Sequence, residues 1–172
     1  MGAGVSEALL FRHFGTKATL FEHAVVEPFT RYLDDYLVRW TRAADSEAGV
    51  EELTGDYLGG LFDLFREHRE LVVALVAAYA HEDQFSEVLS EALSGALSRN
   101  SAFAAQEARR RGYALYDAEL TPRVFLATVV GMAVIDGWLA PASQPAHSRD
   151  DIVQEMTSIL VQGIDGREKR HT

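Results

Sequence analysis

Cysteine is absent from this 172-residue chain. That excludes disulfides, thiolate metal sites and cysteine nucleophiles, and it suits a reducing compartment, so a cytoplasmic protein is expected. A glycine-rich phosphate loop and a serine nucleophile elbow are also missing, which argues against nucleotide chemistry and acyl transfer. No stretch alternates apolar and polar residues between turn residues, so strands are not expected. No basic segment followed by an apolar run opens the sequence, so it gives no sign of a signal peptide. The most apolar window, Val124 to Ala140, carries Asp136 and Gly137 near its end. It falls short of the roughly 20 residues that a membrane span needs. It is read as a helix buried on all sides, with no membrane partner. There is no internal repeat and no low-complexity tract. Proline is sparse, with four in the chain.

Hydrophobic residues make up 48% of the chain and charged residues 24%. That is the composition of an ordinary globular protein, and the length is enough to bury a sizeable core. Apolar residues recur at three and four, as in Leu58, Leu61, Phe62 and Phe65, and again in Ile152, Met156, Ile159 and Leu160. Helices with one buried stripe have this period, and an all-α fold is predicted. Gly4-Val5-Ser6 reads as a turn with a serine cap before a short helix from Glu7 to His13. Phe14-Gly15-Thr16 is a second break. A long helix is predicted from about Lys17 to Ala43, kinked at Pro28. Further helices are predicted over Val50–Glu67 and Glu70–Ala80, and from Glu82-Asp83 to Arg111. The next has Thr121 as its cap and Pro122 at its first position, and it ends near Leu139. After a loop from Pro141 to His147, the last helix covers about Asp150–Ile164.

The net charge is −10, a poor match to a nucleic acid in bulk. It is unevenly placed. In the first 23 residues Arg12 and Lys17 balance Glu7 and Glu22, leaving 14 basic and 24 acidic side chains in the rest. A DNA-facing head is therefore permitted, although not required.

Two short helices around a tight glycine turn are what a helix-turn-helix needs. The run Ala3-Gly4-Val5-Ser6, Leu10-Phe11-Arg12-His13-Phe14, Lys17 and Leu20-Phe21 resembles the signature of the TetR/AcrR family of transcriptional regulators. The likeness spans about 20 residues, and the remainder agrees in helix number and length. It implies a partial helix-turn-helix head over 1–23 and a ligand-sensing, dimerising body over 24–172. It implies base-edge contacts near Ser6, Glu7, Ala8, Phe11 and Arg12, and phosphate contacts from His13 and Lys17. Phe11 stands where the family has tyrosine, so one phosphate donor is missing. In the family a full helix and part of a second precede this turn, and only Met1–Ala3 stand here. The natural product is accordingly expected to carry residues ahead of Met1, the alternative being a truncated gene product, and this chain alone is expected to bind operator DNA weakly or not at all.

The resemblance further implies a palindromic operator, a homodimer and a small apolar or amphipathic ligand. For the ligand the candidates are Phe62, Phe65, Tyr79, His81, Phe103, Phe125, Val129 and Met132, aromatic and apolar residues of the middle helices with a few polar groups. For the dimer, the last two helices are expected to pair with their mates through Ala127, Gly131, Val134 and Trp138, and through Ile152, Met156, Ile159 and Leu160. His81-Glu82-Asp83 invites a metal reading, but a zinc helix needs a second histidine at position 85, which is Phe85. No metal, cofactor or enzymatic activity is expected. The rival readings are a sensing and dimerisation module that does not bind DNA, and a small helical enzyme.

Overall fold

The structure, a computed structural model, describes Thr19 and residues 22–43, 49–79, 83–112, 117, 119–139, 143 and 147–168. Among these the regular elements are all helical. They are α1 (Glu27–Ala43), α2 (Val50–Glu67), α3 (Arg69–Tyr79), α4 (Asp83–Arg111), α5 (Leu120–Leu139) and α6 (Arg149–Glu168), with a π-helical turn over Glu22–Val26 ahead of α1. The predicted all-α class is what the chain adopts. The DNA-contact candidates Ser6, Glu7, Ala8, Phe11, Arg12, His13 and Lys17 lie outside the described residues, and so does His81.

The local reasons are legible. Pro28 has no N–H to give to the carbonyl of Ala24, and its ring crowds that carbonyl. The predicted kink takes the form of the wide turn just before it, with Pro28 in the first turn of α1. The start of α5 corrects the predicted cap. Asp117, not Thr121, does the capping: its Oδ1 accepts the backbone N–H groups of Glu119 and Leu120, both at 2.8 Å. The carboxylate reaches two free donors of the first turn at once, and Pro122 still sits where no N–H is needed. At α6, Ser148 and Asp151 cap reciprocally. The Asp151 N–H donates to Ser148 Oγ at 3.1 Å, and the Ser148 N–H donates to Asp151 Oδ2 at 3.0 Å. Gly112 ends α4 with φ of 78°, a conformation that suits glycine.

α2 is the central helix and packs on α1, α3, α5 and α6. Leu33, Leu58, Leu61, Phe62 and Val129 are fully buried at these crossings, with Ile152, Val153 and Met156 of α6 closing the core. Arg149 clamps α6 to α2 by two bonds to Asp63, at 2.9 and 2.7 Å, and passes over Gly59, where a Cβ would lie 2.8 Å from its guanidinium.

α5 departs from expectation. Its 20 residues are long and apolar enough to cross a membrane by length and composition, which the shorter window Val124 to Ala140 did not suggest. It is not buried on all sides: Val129, Ala133 and Val134 are buried, whereas Trp138 is 71% exposed. It packs against its neighbours along one side only.

Candidate functional site

Spacing by four puts Tyr32, Tyr36 and Trp40 on one face of α1. The Tyr36 hydroxyl donates to the Leu53 carbonyl. The Tyr32 hydroxyl lies between two carbonyls of α2, Tyr57 at 2.9 Å and Asp56 at 3.2 Å. That close approach requires Gly60, because a Cβ there would sit 2.2 Å from Tyr32 Oη. The rings of Tyr36 and Tyr57 are 4.8 Å apart, and Trp40 meets Tyr36 and Phe103 edge to face at 5.8 and 5.9 Å. The Arg39 guanidinium covers Tyr36 at 5.4 Å. Burial pushes the Tyr32 hydroxyl up to about 12, against the opposing Arg39 charge. It pushes Tyr36 and Tyr57 further still, Tyr57 in spite of a hydrogen bond with Asn100.

Beside this ladder lies a half-open cavity of about 140 Å³, bordered by parts of α1, α2, α4, α5 and α6. Trp40, Tyr57, Phe103, Pro122, Phe125 and Leu160 form much of its apolar wall. Its polar lining includes Thr54, Asn100, Glu107 and Arg111. Glu107 Oε1 accepts from Arg110 Nη2 at 2.7 Å and from Arg111 Nε at 2.5 Å, and Oε2 accepts from Arg110 Nε at 2.9 Å. These bonds, Arg110's foremost, hold the carboxyl down at about 2. The buried Trp40 indole N–H makes no hydrogen bond among the described residues. It lies near enough to Glu107 to favour the carboxylate. A buried donor left unpaired is uncommon and calls for an explanation.

Of the ligand candidates, Phe103 and Phe125 line this cavity. Phe62, Phe65 and Val129 do not: they are sealed in the main core, where Phe65 meets Phe29 at 5.6 Å. They are corrections to the sequence reading, and the reason is the direction in which α2 and α5 face. Met132 is partly buried against the same core. The Tyr79 side chain lies outside what is described. Sequence reasoning passed over Tyr36, Trp40, Tyr57, Asn100, Glu107 and Arg111. The available signal was the four-residue aromatic spacing in α1.

The dimer candidates divide as well. Val134, Ile152 and Met156 are buried in the chain's own core and are not available to a partner, and Leu160 faces the cavity. Ala127 and Trp138 are exposed, Ile159 is 57% exposed, and open space surrounds Gly131. Along α5 the residues Leu120, Val124, Ala127, Gly131 and Trp138 fall on one heptad register on the outer side, interrupted at the buried Val134. Leu120 and Val124 are about half exposed. No protein-family model, curated protein or solved structure matches the chain.

Proposed function

We propose that this chain is the ligand-sensing and dimerising body of a TetR-type transcriptional regulator, with its helix-turn-helix segment over residues 1–23 directed at a palindromic operator. The observation that carries the sensing part is the cavity of about 140 Å³ with aromatic walls and an unsatisfied Trp40 donor. The DNA-binding part rests on the run from Ala3 to Phe21. The dimer rests on the exposed register of α5. Small residues at Ala127 and Gly131 between larger ones let a second helix approach closely, and a 3.5-residue repeat suits a helix seam. The same stripe is apolar enough for lipid. The register and the small central residues favour a second copy of the chain.

Ligand in the cavity touches both α1, which leads from the head, and α5. It thereby biases the spacing of the two heads, and half-sites one turn of DNA apart accept one spacing. Two measurements on the purified chain test the reading. Sedimentation equilibrium at micromolar concentration should give a dimer. Selection from random duplex DNA should enrich a palindrome. A dimer that enriches nothing supports the sensing and dimerisation module without DNA binding. A monomer that enriches nothing overturns both forms of the reading.

A further inference from the structure

The donors and acceptors around the cavity do not balance. The Glu107 carboxylate already accepts three N–H groups from Arg110 and Arg111. Arg111 uses only its Nε there, so the two terminal amino groups of its guanidinium have no partner among the described residues. Trp40, only 8% exposed, adds an indole N–H in the same condition. An indole and a guanidinium donate and never accept. Whatever fills the cavity must bring acceptors. Charge points the same way. Glu107, the acid among the described lining residues, is already satisfied by N–H groups of Arg110 and Arg111, so a cation entering the cavity would meet no free carboxylate there.

Size and shape narrow the class. An apolar cavity on the order of 150 Å³ holds a benzene-sized molecule, and this one measures about 140 Å³. Its walls are Trp40, Phe103 and Phe125 with Pro122, surfaces suited to a flat ring.

We propose that the cavity takes a single-ring aromatic carboxylate, its ring among Trp40, Phe103 and Phe125 and its acceptor oxygens toward the Arg111 guanidinium and the Trp40 indole N–H. This rests on reading the cavity as a ligand site, and it adds the chemistry of the ligand.

Benzoate is the probe. The chain has two tryptophans, Trp40 and Trp138, so the ¹⁵N-labelled protein gives two indole N–H signals. Trp40→Phe or Trp138→Phe assigns both by removing one, so a single folded variant is enough. Saturating benzoate should move the Trp40 signal downfield. Toluene and benzylamine should bind about tenfold more weakly or worse, as should benzoate to Arg111→Gln, because each lacks one side of a charge-assisted bond. A Trp40 signal unmoved by benzoate overturns the proposal. So does toluene or benzylamine binding as tightly as benzoate. Sedimentation of the same sample separates the two readings. Failure of benzoate with the dimer intact removes the ligand class alone, whereas a monomer that enriches no DNA and binds benzoate removes the regulator and keeps the ligand.

Discussion

The pairing of α1 with α2 is solid at one end and hollow at the other. At the solid end Phe29 and Leu33 meet Leu58, Leu61, Phe62 and Phe65, all buried in one cluster. At the hollow end Tyr36 and Trp40 meet Leu53, with Tyr57 and Phe103 packed around them and the cavity alongside. Phenyl and aliphatic side chains have no polar atom to satisfy, so they turn until they interdigitate. Tyrosine and tryptophan carry a polar tip that must find a partner when buried. The Tyr32 and Tyr36 hydroxyls are held on carbonyls of α2. Rings fixed by hydrogen bonds cannot also move to fill space, and a gap remains beside them. The same two helices thus build a close-packed core where the side chains carry no polar atom and a pocket where tyrosine hydroxyls are tied to the facing backbone.

The widest separation between the ends should come from truncation. Phe62→Ala, in the solid end, is expected to lower unfolding stability by about 3–5 kcal/mol, the cost of a cavity where none existed. Phe103→Ala, on the cavity wall, should lose about half of that or less, since part of its surface already lacks a neighbour. Urea unfolding of the two variants measures both. Equal losses would show that the hollow end is as tightly packed as the other.

Gly60→Ala comes next. The added methyl would strike the Tyr32 hydroxyl, and an overpacked contact of this kind costs about 1–3 kcal/mol. Its cost should shrink in a Tyr32→Ala background, which removes both the hydroxyl and the ring carbons that crowd the same point. If Gly60→Ala costs as much in that background as in the parent chain, the close approach is not what demands glycine.

Alkali should act on the hollow end and spare the solid one. Burial raises Tyr32 from 10.0 to about 12, and raises Tyr36 and Tyr57 beyond it. A raised folded-state pKa means stability that is complete below the unfolded value and lost as pH climbs through the folded one. The protein should therefore keep its helix content to near pH 10 and lose stability from there toward 12 and above. Tyrosinate absorbance and helical circular dichroism, followed together, check this. Ionisation of all six tyrosines near pH 10 with the helices intact would contradict it.

Sequence periodicity carried the fold further than it carried the site. The ranges expected for α2, α3, α4 and α5 fall within a residue or two of those observed, because Gly112, Asp83 and the apolar spacing mark them locally. Phe62 and Phe103 show where this stops. Both are phenylalanines on middle helices, and nothing within a few positions of either tells core from cavity. That depends on which helix crosses opposite, a long-range fact. Glu107 and Arg111, one turn apart on α4, read as an ordinary surface ion pair. Only the crossing of α1, which brings Trp40 beside them, makes them part of a binding wall.

The same distinction decides the outer side of α5. Val124 is about half exposed. In a protomer by itself Val124→Glu should change stability by no more than about 0.5 kcal/mol. In a symmetric dimer built on this register, each substitution sets two carboxylates against an apolar seam. Dissociation should then rise by about tenfold or more. Sedimentation equilibrium reads the second quantity. Thermal melts at concentrations where both proteins are monomeric read the first. A dimer undisturbed by Val124→Glu would move the seam away from Leu120, Val124, Ala127 and Gly131. A protomer that unfolds would mean that this face is packed from within, against its observed exposure.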